Sequence, residues 1–163
     1  PEPVAGKPVD EREVLQGFEH IHERARNIIL HGKNWRLWVL CDRDPVETWT
    51  DGRVVLLGDA AHPMMQYFAQ GACMALEDAV CLSHMLDAYP QDYAQALERY
   101  RLQRVARTAT VQLQSRAIGE HIYHPAGAHA LARNAIMRAK SSEDYYNHLA
   151  WLYGGNGLGM PIA

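Results

Sequence analysis

The chain has 163 residues, with 16 Lys and Arg against 19 Asp and Glu, for a formal net charge of −3. That length suits one ordinary domain with one core, and with no basic stripe there is no electrostatic case for nucleic acid. No apolar run approaches the ~20 residues of a membrane span, and residues 1–10 lack the charged and apolar regions of a secretory signal. The cysteines Cys41, Cys73 and Cys81 are odd in number and form no close pair. Reduced thiols and a cytoplasmic setting are therefore expected. The chain opens without Met, which reads as a start partway through a gene product.

Pro1 to Pro8 is irregular. From Val9 the pattern turns helical, with Val14, Leu15, Phe18, Ile21 and His22 recurring at spacings of three and four. Asp10, with Glu13 three later, nearly matches a capping box. Trp35 to Cys41 alternates loosely and is rich in large residues, so a strand is expected there. Asp42 to Thr50 is polar and holds Pro45, a loop. Asp51-Gly52 signals a turn. Arg53 to Leu57 reads as a short strand buried on both faces. Asp59 to Gly71 is loop with room for a helical turn.

A helix is expected over Ala72 to Asp87, with Leu76, Ala79, Leu82 and Leu86 on its core face. Pro90 interrupts it. A long helix follows from about Gln91 to His121, with Tyr93, Leu97, Tyr100, Val111 and Ile118 as core candidates. Pro125 to Gly127 ends that run. Two shorter helices are expected, about Ala128 to Ala139 and Glu143 to Tyr153, the second capped by Ser141 with Asp144. The glycine-rich tail from Gly154 holds no regular element. The strand over residues 53–57 needs neighbours on both sides, yet no βαβ unit in the sequence supplies them. They come either from a region outside this chain or from a second copy of it.

The chemistry concentrates where that strand meets Gly58-Asp59. A carboxylate at a strand's C-terminal end points into the crevice where α/β folds bind ligands, and it is suited to sugar or ribityl hydroxyls. An Asp that only caps a turn has the same sequence. Gly58 and Gly71 serve turns or let backbone approach a ligand closely. Ala72 and Cys73 would open a helix, with free N–H groups and a positive dipole end suited to negative charge on a flavin ring. A buried Cys73 in the core is the plainer reading. His62 is read either as an acid-base group or as a residue that holds the loop. Gln66 is read either as an amide for a substrate or as a solvent-exposed side chain.

Other clusters read as structural. His20 with His22, and His121, His124 and His129, have no carboxylate or Cys at zinc spacing, so no metal site is expected. Trp35, Trp38, Trp49 and Trp151 are read as core or interface aromatics. Arg99, Arg101, Arg104 and Arg107 are read as a solvated helix face.

The string from Gly52 to Leu82, GRVVLLGDAAHPMMQYFAQGACMALEDAVCL, resembles the second flavin-binding signature of the single-component aromatic hydroxylases. These are FAD-dependent monooxygenases of the p-hydroxybenzoate hydroxylase type. QYFAQGACMALEDAV is most similar to the salicylate and 3-hydroxybenzoate hydroxylase branch. WRLWVLCDRDPVETWTDGRV, HIYHPAGAHALARN and EDYYNHLAWLYGG extend the resemblance over most of the chain. The implied fold class is α/β and mostly helical: the C-terminal part of a two-domain FAD-dependent monooxygenase, without its N-terminal Rossmann βαβ unit. The implied segments are 1–50, the tail of the substrate-binding domain; 51–88, the strand-Gly-Asp-loop-helix of the FAD domain; and 89–163, a C-terminal helical region.

The resemblance also implies roles. Gly58 and Asp59 would hold the ribityl side of FAD, Pro63 would line the flavin ring, and Gly71, Ala72 and Cys73 would face its N1 and O2 edge. Pro63, Gln66 and Tyr67 would border a small aromatic acid. NADH or NADPH would be the co-substrate, and the reaction would turn 3-hydroxybenzoate into gentisate or hydroxylate salicylate. Met64, Met65 and Gln66 replace the Pro- and Gly-rich loop of the p-hydroxybenzoate branch, which argues against that substrate. The family's GxGxxG motif is absent, and residues 154–159 do not replace it. The 163-residue chain alone is therefore expected to bind FAD weakly or not at all and not to hydroxylate. Two alternatives belong to other classes: a non-catalytic helical fragment that self-associates, as a homodimer for example, and a related FAD-dependent epoxidase or halogenase.

Overall fold

The computed structural model describes residues 5–155. The chain divides into two compact units, one up to Cys41 and one from Asp42 onward. The expected segments 51–88 and 89–163 both fall in the second unit.

In the first unit β1 (Lys7–Pro8) pairs antiparallel with β2 (Arg36–Leu37), Lys7 opposite Leu37. Between them lie α1 (Glu11–Leu15) and α2 (Glu23–Leu30). Asp10 caps α1, accepting from the Glu13 amide at 2.7 Å. The helical run expected from Val9 is broken, because Gly17 takes a φ of 114° that no helix continues through. His22, expected within that run, instead caps α2 by accepting from the Arg24 amide at Nδ1. Of the strand expected over residues 35–41, only Arg36 and Leu37 pair, and Trp38, Val39 and Leu40 are exposed. At the other end the Val9 amide donates to the Trp35 carbonyl at 3.1 Å, and the paired stretch ends at Leu37.

In the second unit β3 (Thr50–Asp51) and β4 (Val54–Val55) form a hairpin around Gly52-Arg53. Gly52 takes a φ of 57°, which a two-residue hairpin turn requires. The expected doubly buried strand is not seen. Among the described residues β4 pairs on one side only, so Val54 is 66% exposed. Two helices dominate the unit, α3 (Gly71–Ala88) and α4 (Tyr93–Ile118), and they pack along each other. α4 runs into a π-helical turn, Gly119–Tyr123. α5 (Gly127–Ala139) and α6 (Ser142–Tyr153) follow, and Ser141 with Asp144 forms the expected capping box. The described residues are thus mostly helical, with two small antiparallel ladders.

The core has two apolar clusters. Trp49, Ala61, Cys81 and Tyr100 make one; Met74, Val111 and Leu152 make the other. A polar layer divides them: on α3 Asp78 lies between Met74 and Cys81, and on α4 Arg104 and Thr108 lie between Tyr100 and Val111. Of the expected α3 face, Leu82 packs against the first cluster and Leu86 is half-buried, but Leu76 and Ala79 are exposed. Met74, Asp78 and Cys81 turn inward and Leu76 is left 69% exposed. On α4 Leu97, Tyr100 and Val111 are buried as expected, but Tyr93 is exposed, its ring under the Arg53 guanidinium. The arginine cluster is corrected too. Arg104 is fully buried and Arg107 mostly so, because each meets a carboxylate of α3. Of the four tryptophans only Trp49 is a core residue, and Trp38 is 61% exposed.

Candidate functional site

The loop from Gly58 to Gln70 is held from several sides. Gly58 takes a φ of 60° and opens a 3-10 turn, Gly58–Ala60, with the Ala61 and His62 amides both donating to its carbonyl at 2.9 Å. A β-carbon on Gly58 would lie 3.2 Å from Ala75 Cβ, so glycine lets the turn sit directly on α3. Arg43 donates to the Ala60 and Ala61 carbonyls at 2.7 Å each. From α4, Gln112 donates to the Pro63 carbonyl at 3.0 Å and Ser115 to the Met65 carbonyl at 2.5 Å. A second 3-10 turn, Gln66–Phe68, ends at Ala69 with φ 54°, a conformation costing about 1–2 kcal/mol for a residue with a β-carbon. That reversal delivers the chain to Gly71 at the start of α3.

Asp59 is exposed, and its Oδ1 lies 3.7 Å from where a β-carbon on Gly71 would be. The Gly71, Ala72 and Cys73 amides precede the first bond of α3, from the Met74 amide to the Gln70 carbonyl, and no side chain caps them. Ala72 and Cys73 are exposed, so Cys73 is not a core residue. Pro63 is half-buried and Gln66 is exposed. The Tyr67 hydroxyl is 2.9 Å from His124 Nε2, and its ring packs on Gly119 and Tyr123. Tyr67 therefore anchors the loop to the π-helical turn. An exposed carboxylate and an uncapped helix start come together; Pro63 and Gln66 lie on the loop joining them.

Beneath the loop is a buried ionic layer. Asp78 accepts from the Gly58 amide at 3.0 Å and from His62 Nε2 at 2.6 Å on one oxygen, and from Arg104 Nε at 2.6 Å on the other. Arg104 and Arg107 also hold Glu77, at 2.6 and 2.7 Å. Burial alone would raise the Asp78 carboxyl, but the hydrogen bonds from His62, Arg104 and the Gly58 amide together keep it below the usual carboxylate range. Glu77 is lowered in the same way, with Arg107 and Arg104 outweighing burial. Burial pushes the Tyr100 phenol up, so it is a neutral donor to the Leu56 carbonyl at 3.2 Å. Of the two roles the sequence allows His62, its bond to Asp78 is that of a loop anchor. Asp78, Gln112, Ser115 and Arg43 carry no signal of this role in the sequence, and Arg104 reads there as a solvated side chain.

These residues fit the ribityl and ring portion of a flavin. Asp59 offers a free acceptor for hydroxyls, three uncapped amides offer donors at a positive helix end, and Gly58 removes side-chain bulk between turn and helix. The family model described as "FAD binding domain" matches residues 6–115. A 3-hydroxybenzoate 6-hydroxylase of Aquipseudomonas alcaligenes is 51% identical over 94% of this chain and 39% of its own length. A protein of the same name from Polaromonas naphthalenivorans is 46% identical over 88% of this chain and 36% of its own. The solved structure of Klebsiella pneumoniae HpxO complexed with FAD and uric acid superposes with a TM-score of 0.74 at 26% identity, covering 85% of this chain and 36% of that one. The chain thus spans well under half the length of these relatives. With the family model matching most of it, the chain belongs to the FAD binding domain family.

Proposed function

We propose that this chain forms the ribityl and ring side of the FAD site in an aromatic-ring monooxygenase, with 3-hydroxybenzoate as substrate and gentisate as product. The observation that carries the reading is the meeting of Asp59 with the uncapped start of α3. Four relatives named 3-hydroxybenzoate 6-hydroxylase, at 44–51% identity, support the substrate over salicylate.

Bound FAD would supply the redox chemistry, taking electrons from NADH or NADPH and delivering an oxygen atom of O2 to the ring. The chain's own residues bind and orient. Asp59 accepts hydrogen bonds from hydroxyls, and the amides of residues 71–73 stabilise negative charge at the helix end. Pro63 and Gln66 present an apolar edge and an amide to a small aromatic acid. The pyrophosphate half of the cofactor needs a GxGxxG unit, which these 163 residues lack, so the chain alone would bind FAD weakly. Self-association belongs to the same proposal, supported by the exposed Leu131, Ile136 and Tyr146 on α5 and α6. A cytoplasmic setting is proposed as well; no helix among the described residues is long and apolar enough to cross a membrane.

The test is a product assay on the full-length protein with FAD, O2, and NADH or NADPH. Gentisate formed from 3-hydroxybenzoate, in step with NAD(P)H consumption, is the expected result. Hydroxylation of salicylate in preference, or oxidation of NAD(P)H with no ring product, counts against the assignment.

A further inference from the structure

We infer that Asp78 is a positioning residue for the flavin subsite: from within α3 it sets the Gly58-Asp59 turn against the start of that same helix. The inference rests on the flavin reading of Asp59 and residues 71–73. Asp78 lies about two turns, or ~10 Å, along α3 from Gly71, so the helix start and the Asp78 carboxylate belong to one rigid element. Gly58 is tied to that element twice. Its amide donates to Asp78 Oδ2 at 3.0 Å, and its α-carbon sits so close that a β-carbon would meet Ala75 Cβ at 3.2 Å. A φ of 60° then fixes the direction in which Asp59 leaves the turn. The spacing between Asp59 and the amides of residues 71–73 is thereby set by a contact that neither of them makes.

His62 serves the same end. Its Nε2 donates to Asp78 Oδ2 at 2.6 Å, and its Nδ1 is buried with no partner among the described residues. Through the bond to Asp78 it ties the loop to α3.

Both carboxylate oxygens are occupied, so an amide at position 78 fails in either orientation. With its oxygen toward Arg104, the NH2 of Asn faces the Gly58 N–H. With its oxygen toward Gly58 and His62, the NH2 faces the guanidinium. Replacing Arg104 as well removes the second conflict.

The test uses the full-length protein, comparing Asp78→Asn with Val111→Ala well below either unfolding temperature. Val111 is buried in the apolar cluster with Met74 and Leu152, against which Met64 and Phe68 of the loop also pack, so its truncation costs stability and loosens loop packing while leaving the Asp78–Gly58 bond in place. FAD affinity is read from flavin fluorescence and turn mobility from amide hydrogen exchange. Asp78→Asn is expected to weaken FAD at least about ten-fold beyond Val111→Ala and to speed exchange at Gly58 and the amides that follow. The double variant Asp78→Asn/Arg104→Met is expected to regain much of that affinity, and it replaces the single variant if Asp78→Asn does not fold. Equal FAD affinity in Asp78→Asn and Val111→Ala, unchanged exchange at Gly58, or no recovery in the double variant overturns the inference. A wild-type protein that takes up no FAD overturns the flavin reading and this role with it.

Discussion

Arg104 Nε donates to Asp78 Oδ1 at 2.6 Å in a layer where neither side chain reaches solvent. The same guanidinium holds Glu77 through Nη1 and reaches the Met74 carbonyl through Nη2. One α4 side chain therefore ties down three groups of α3. Replacing the pair by apolar residues would cost little, but removing one partner leaves an uncompensated buried charge.

Arg104→Ala is expected to destabilise the second unit by about 3–5 kcal/mol. Urea unfolding monitored by tryptophan fluorescence measures it, since Trp49 lies in that unit's core. A loss below about 1 kcal/mol, the range of a surface ion pair, would contradict a structural role for the layer.

The same layer predicts acid sensitivity. Asp78 and Glu77 are held below their ordinary values of 3.8 and 4.5 in the folded state. A group depressed on folding contributes stability that is full above its unfolded value and is lost as pH falls through the folded one. Stability is therefore expected to be level from pH 7 to about 5, as far as these two groups determine it, and to fall below about pH 4.5. Arg104→Met should flatten that fall. An equally steep acid limb in the variant would assign it to other carboxylates.

Much of this fold was legible because local rules governed it. Asp10 and Ser141 cap where the spacing says, and Pro90 divides two helices whose ends fall within a few residues of expectation. The Gly-Asp-loop-helix order of the site was legible as well, since glycine, carboxylate and helix start are sequential. What escaped was the polar layer. Arg104, Thr108, Gln112 and Ser115 continue the inward stripe of Leu97, Tyr100 and Val111 at helical spacing. A rule that sends arginine to solvent places Arg104 outside that stripe. The buried partner that overrides the rule, Asp78, is 26 residues away in sequence, beyond the reach of periodicity. The one-sided pairing of β4 agrees with the lack of a βαβ unit in the sequence: an apolar run shows a preference for burial, not the neighbours that would provide it.

If Asp59 and the start of α3 form a flavin subsite, Asp59→Ala in the full-length protein should weaken FAD binding and leave the fold intact. Asp59 is exposed and no described residue donates a hydrogen bond to its carboxylate, so the unfolding midpoint should stay within about 2 °C of wild type. FAD titrated into the apoprotein should bind at least about ten-fold more weakly. An unchanged FAD dissociation constant, at an unchanged unfolding midpoint, would contradict a flavin subsite there.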